Sequence, residues 1–129
     1  MSKATVEITN LTRRHLKVVA GLPFVEVATK VVPKWEVSLV FVGPTKAREL
    51  NVQLRGKTYT PNVLSYEVGG KSGEIFICLN EAAKQAPEHS MNERDFVLYL
   101  FIHGLLHLKG MPHGATMERC EQKLMAQFS

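Results

Sequence analysis

Three histidines define the chemistry this chain can do. His103, His107 and His113 lie in the stretch His-Gly-Leu-Leu-His-Leu-Lys-Gly-Met-Pro-His, the first two within an apolar run. Four helical residues rotate by about 400° and rise by about 6 Å, so the first two imidazoles leave one helix face a turn apart. Gly110 stands where a helix can end on a left-handed residue, and Pro112 bars its resumption. The chain must then turn back, which carries His113 toward the other two rings. Three imidazole nitrogens leave a fourth tetrahedral place open to water, as in catalytic rather than structural metal sites. Either helix histidine alone would read as a buried residue with hydrogen-bond partners. A Gly-Met-Pro turn set between the second and third has no such explanation in core packing.

The spacing is that of the long zinc-protease signature, with histidines at places one, five and eleven and glycine at place eight. In those proteases the residue after the first histidine is a glutamate that serves as general base. Gly104 stands there in this chain, so peptidase chemistry lacks its base.

The elements that must hold these residues are set by periodicity. Residues 4–9 alternate Val6 and Ile8 with polar neighbours, the pattern of a half-buried strand. A basic segment with Arg13, Arg14, His15 and Lys17 breaks at Gly21 to Pro23, and a helix starts at Pro23 with Phe24, Val27, Ala28 and Val31 inward. Residues 37–42 read as a buried strand, and 45–54 as a short helix with Ala47, Leu50 and Leu54 on its apolar face. A polar turn-rich segment, 55–62, precedes a short strand at 63–66. Residues 68–73 then form a hairpin turn into an antiparallel strand at 74–79. A short helix at 80–86 ends at Pro87. Ser90 and Glu93 form a capping box for the histidine helix. Phe96 to Ile102, with Leu105 and Leu106, leave that helix almost no polar face, so the domain must surround it. A last helix at 116–128 places Met117, Cys120, Leu124 and Phe128 on one side to close the core.

With 129 residues, 45% of them hydrophobic, and no linker or internal repeat, the chain predicts a single domain over 1–129. No apolar run reaches the roughly 18 residues of a membrane span, and the N-terminus lacks a signal-peptide core. These features predict a cytoplasmic protein with no membrane partner. Two cysteines, Cys78 and Cys120, make no disulfide framework and read as packed or surface thiols. A net charge of +4 permits a polyanionic partner without requiring one. His15 and His89 stand apart from the histidine stretch and are assigned no role.

Leu50-Asn51 with Arg55-Gly56-Lys57, then Asn62-Val63-Leu64-Ser65-Tyr66, then Gly73-Glu74-Ile75, then the histidine stretch, resemble in this order the YbeY-type metal-dependent endoribonucleases that mature ribosomal RNA. The resemblance covers roughly residues 50 to 125, and four separately spaced motifs carry it. It implies an α+β fold, with a four-stranded mixed sheet packed on a central histidine-bearing helix in a zincin-like arrangement. It also implies a zinc-like ion on His103, His107 and His113, an arginine important for activity at Arg55, and a context of ribosomes and small-subunit rRNA processing. Three places depart from the family: Met111-Pro112 replaces Tyr-Asp, Pro61 replaces Thr, and Tyr66 replaces Phe. The first removes from that place a carboxylate that could orient a histidine or accept a proton.

The resulting expectation is a single-strand endoribonuclease with one zinc ion, nickel or cobalt being suited to the same donors. Arg55 and His107 are its catalytic residues, and Arg55, Lys57, Asn62 and Ser65 its RNA contacts. A guanidinium offers paired donors that match phosphate oxygens; Asn62 and Ser65 are equally at home satisfying a turn. Lys46 and Arg48 fit either backbone contacts to RNA or solvated charge. Two other readings share these residues: a ribosome-assembly or RNA-binding factor with a structural metal, and a metallopeptidase-like hydrolase.

Overall fold

The computed structural model describes residues 2–129. Four strands form one sheet: β1 (Thr5–Asn10), β2 (Glu36–Val42), β3 (Val63–Gly69) and β4 (Ser72–Cys78), in the order β1-β2-β4-β3. β1, β2 and β4 run parallel, and β3 pairs antiparallel with β4 as an edge strand. The five helices are α1 (Phe24–Val31), α2 (Pro44–Arg55), α3 (Leu79–Gln85), α4 (Glu93–Leu108) and α5 (Ala115–Phe128).

Alternation along the strands divides the apolar residues between two faces. Val37, Leu39 and Phe41 of β2, with Ile75 and Ile77 of β4, meet α1, α3, α4 and α5 in the main core. Val40, Val42, Phe76 and Cys78 point the other way, against Ala47 and Leu50 of α2 and Leu64 of β3. α4 lies at the centre of the main core. Phe96, Val97, Leu98, Phe101, Ile102 and Leu105 are all fully buried, which is why this helix has no polar face. An α+β fold with a four-stranded mixed sheet on a central histidine helix is therefore the architecture the sequence motifs imply.

Several local expectations are corrected. α4 is capped by Asn92, whose side chain accepts from the Asp95 amide at 2.7 Å, and not by Ser90 with Glu93. Glu93 instead pairs with Arg14 at 2.7 Å, and Ser90 is the left-handed end (φ 56°) of a 3-10 turn over Ala86–His89. α3 does end before Pro87, at Gln85, and the proline sits in the first turn of the 3-10 helix, whose amides need no internal partner. α2 begins at Pro44 for the same reason. Leu54 is 45% exposed, and the inward place on α2 is taken by the fully buried Asn51. β3 and β4 are longer than expected, with only Gly70 and Lys71 between them, and Leu79 opens α3 rather than ending β4. β1 is an edge strand, so Val6 is half-buried while Ile8 is 45% exposed.

Candidate metal centre

The three histidines are arranged by the end of α4 and the turn beyond it. Gly110 takes φ +99°, a conformation that a residue with a Cβ rarely adopts; its amide donates to the His107 carbonyl at 2.9 Å, and the Met111 amide to the Leu106 carbonyl at 3.0 Å. The chain thereby doubles back, and His113 meets the two helix histidines just before α5 begins. Ring centroids are 4.6 Å apart for His103 and His107, 5.2 Å for His103 and His113, and 4.3 Å for His107 and His113. One ring nitrogen from each of the three lies within 4.8 Å of the others. His103 and His107 are half-buried, and His113 is exposed.

The outward nitrogens of the helix pair are already engaged. His107 Nδ1 lies 3.2 Å from the Met111 carbonyl oxygen, and His103 Nδ1 lies 2.5 Å from Glu121 Oε2. A carbonyl oxygen only accepts, so His107 carries its proton on Nδ1; the Glu121 carboxylate assigns the proton of His103 in the same way. Both Nε2 atoms then present lone pairs, and they stand 3.1 Å apart. Two facing lone pairs are held at this distance favourably by a proton or by a metal cation between them. Tetrahedral bonds of about 2.0–2.1 Å would separate two ligand nitrogens by about 3.3 Å, so the spacing of the His103 and His107 pair fits a small divalent ion, with the third histidine close by.

Sequence reasoning missed Glu121 as a site residue. It is 4% exposed, on the inward face of α5, and its other oxygen accepts from the Tyr99 hydroxyl at 3.4 Å. A signal was present: Glu121 interrupts the apolar face formed by Met117, Cys120, Leu124 and Phe128, where a carboxylate needs a partner. Burial and then the Glu121 carboxylate push up the Tyr99 phenol. His107 titrates below its ordinary value of 6.5, first because of burial and then because of His103 and His113 beside it.

The rings open onto a cleft of about 610 Å³ that Arg55, Tyr59, Asn62, Ser65 and Gln85 also line. Arg55 is exposed at the end of α2, and its Nη1 donates to the Tyr59 hydroxyl at 2.8 Å. Asn62 Nδ2 donates to Gln85 Oε1 at 2.8 Å, so one side of its amide is occupied within the protein. Ser65 lies on β3 and lines the cleft. Lys57, two residues beyond the end of α2, is exposed and does not line the cleft. Arg48 Nη2 reaches Thr60 Oγ1 at 3.4 Å, and Lys46 is exposed on α2. His89 packs its ring 4.7 Å from that of Phe96, away from the metal site. Neither cysteine is a ligand in the cluster.

Gly104 borders both the cleft and the sheet. A Cβ there would lie 3.1 Å from Ile75 Cγ2 and 3.2 Å from Ile75 Cδ1, so the missing side chain lets α4 pack tightly on the Ile75 side chain of β4. The departures from the family motifs are also explained locally. Met111 orients His107 through its main-chain oxygen, which any residue supplies. Tyr66 points away from Ser65 to the other sheet face, where its hydroxyl donates to Glu74 opposite it on β4; that bond, then burial, raises its pKa to about 12.

This sheet, the central histidine helix and three converging imidazoles define a class: α+β proteins with three imidazole nitrogens that could hold a metal ion beside an open cleft. Residues 2–129 match the family model described as Endoribonuclease YbeY, and the chain belongs to the YbeY family. It is 35% identical over 80 residues to the Endoribonuclease YbeY of Bdellovibrio bacteriovorus, covering 60% of this chain and 53% of that one. To that of Bordetella avium it is 33% identical over 103 residues, covering 72% and 64%. The match thus spans between about half and two thirds of the length of these relatives. The solution structure of TM1509 from Thermotoga maritima is similar with a TM-score of 0.69 and 25% identity, over 95% of this chain and 88% of that one. No helix among the described residues is long and apolar enough to cross a membrane.

Proposed function

We propose that this chain is a metal-dependent endoribonuclease that cleaves phosphodiester bonds in single-stranded RNA, acting in the cytoplasm on ribosomal RNA of the small subunit. Zinc is the proposed ion, on His103, His107 and His113; the same donors suit nickel or cobalt. The observation that carries this reading is the meeting, in one cleft, of three imidazole donors with the guanidinium of Arg55. A cation site facing an anion-binding group suits a phosphodiester.

An ion held there supplies Lewis acidity, which polarises a phosphoryl oxygen and acidifies a water. The chain's own residues do the rest. Glu121 and the Met111 carbonyl hold the protons of His103 and His107 on Nδ1 and keep both Nε2 atoms available. Arg55 uses one donor on Tyr59 and presents the remaining N–H groups to a phosphate, stabilising charge that builds on its oxygens. Ser65 and the Oδ1 of Asn62 offer polar contacts to the ribose-phosphate chain, and Lys57 adds charge near Arg55. The peptidase alternative is disfavoured because the position after the first histidine is Gly104, which carries no base and packs closely on the Ile75 side chain.

The test is metal analysis of protein purified without chelator, together with RNA cleavage by wild type and His107→Ala. One divalent ion per chain and metal-dependent cleavage that the variant loses are expected. If wild type binds RNA and a metal ion but cleaves with no divalent ion tried, the reading gives way to a ribosome-assembly factor with a structural metal.

A further inference from the structure

Among the described residues, Tyr59 is the one aromatic residue in the set of large, most exposed apolar side chains: it is 53% exposed, at the edge of the cleft that holds the histidines. Exposure of a tyrosine means little by itself, but this one is fixed at both ends. Its main-chain oxygen accepts from Asn51 Nδ2 at 2.9 Å, and its hydroxyl accepts from Arg55 Nη1 at 2.8 Å. Asn51 is fully buried in α2, and its Oδ1 has no hydrogen-bond partner. A buried amide that leaves one polar atom unsatisfied is a cost to the fold. What its other end secures is the position of Tyr59. α2 also ends tightly beside this segment, with Gly56 N–H on the Val52 carbonyl at 3.0 Å and Lys57 N–H on the Asn51 carbonyl at 3.3 Å. The ring is thus restrained at two points before any ligand arrives, which lowers the entropy cost of ordering it on binding.

The geometry points to Tyr59 as a nucleobase platform: an unpaired base of the RNA stacks on its ring while a neighbouring phosphate meets Arg55. The inference rests on the endoribonuclease reading and adds a subsite to it. Every base has a π-face, so the platform is tolerant of sequence. A base within a duplex keeps its own stacking neighbours and cannot use it, so the platform selects single strands. The hydroxyl bond serves a second purpose. It holds the guanidinium beside the ring, with Arg55 Cζ 5.9 Å from the ring centroid, so base and phosphate are received at adjacent places.

The experiment uses the full chain loaded with zinc and a short single-stranded 2′-O-methyl oligonucleotide, with affinity read by fluorescence anisotropy. Tyr59→Leu keeps apolar bulk and removes the π-face; it is expected to weaken binding by about 10- to 100-fold, the worth of one base stacked on an aromatic ring. Tyr59→Phe keeps the face and retains most of the affinity. An abasic position walked along the oligonucleotide should, at one place, cost wild type the same factor and cost Tyr59→Leu nothing further. Equal binding by wild type and Tyr59→Leu, or no abasic position coupled to Tyr59, would overturn the platform while leaving the endoribonuclease reading intact. Failure of wild type to bind any single-stranded oligonucleotide would overturn both, and tighter binding of a duplex than of the single strand would overturn the platform.

Discussion

Replacing Glu121 with Gln separates the metal site from the fold, because its two readouts should move differently. The carboxylate is 4% exposed and accepts from His103 Nδ1–H at 2.5 Å and from the Tyr99 hydroxyl at 3.4 Å. Gln keeps the shape and one accepting oxygen but removes the charge. A carboxylate behind a metal-binding imidazole raises its basicity and fixes its ring, and losing such a partner typically costs about 10- to 100-fold in metal affinity. That range corresponds to about 1.4–2.7 kcal/mol. The metal-free fold should respond otherwise. Desolvation of a buried carboxylate offsets much of its attraction for a partner, so a neutral isostere is often no less stable. The amide oxygen of Gln can still accept from His103 Nδ1–H, so no unpaired donor stays buried. Zinc competition against a chromophoric chelator at one pH, with melts of the chelated proteins, reads both quantities. We expect weaker zinc binding and a metal-free melt within about 1 kcal/mol of wild type. Equal zinc affinity in the two proteins would refute the role given to Glu121, and loss of the metal-free cooperative melt would make it a structural residue.

Arg55→Lys should lower turnover more than it weakens RNA binding, because lysine keeps the charge but loses the paired donors; single-turnover rates beside equilibrium binding check this, and equal losses would make Arg55 a binding residue only. His107 is held below its ordinary 6.5, so above that pH it is neutral both folded and unfolded and adds no pH dependence. As pH falls below 6.5 the unfolded chain takes up the proton first, so metal-free protein should lose stability there more steeply than His107→Gln; parallel melting curves for the two would contradict the shift. Chelation should leave a cooperative melt, since α4 is buried against apolar residues of the sheet and α1 whether or not an ion is present, while RNA cleavage disappears and returns on adding zinc; unfolding on chelation would mark the ion as structural.

The histidine triad was legible in the sequence because its geometry is local. An i, i+4 pair on a helix and a glycine turn determine most of it without help from distant residues. The sheet was legible for a related reason, since the apolar run at 37–42 and the paired runs around Gly70 report burial on each face. What escaped depends on contacts between distant parts of the chain. The Ser90 capping box failed because Glu93 is taken by Arg14 across 79 positions. Leu54 has helical spacing but is exposed, and the buried position nearby belongs to Asn51, whose task is to hold the segment carrying Tyr59.

The same distinction resolves the Met111-Pro112 departure. In the sequence it removes a carboxylate next to the third histidine. In the fold the other two histidines are oriented independently of that position: His107 by a main-chain carbonyl, and His103 by a carboxylate from α5, 18 positions away. The protease spacing located Gly104 as the missing base, whereas the structure makes it the point where α4 and β4 touch. A side chain there would crowd the side chain of Ile75, the strand residue that pairs with Ser65. Gly104 thus leaves the first histidine without a neighbouring base and lets α4 pack closely on Ile75, two consequences of one missing side chain.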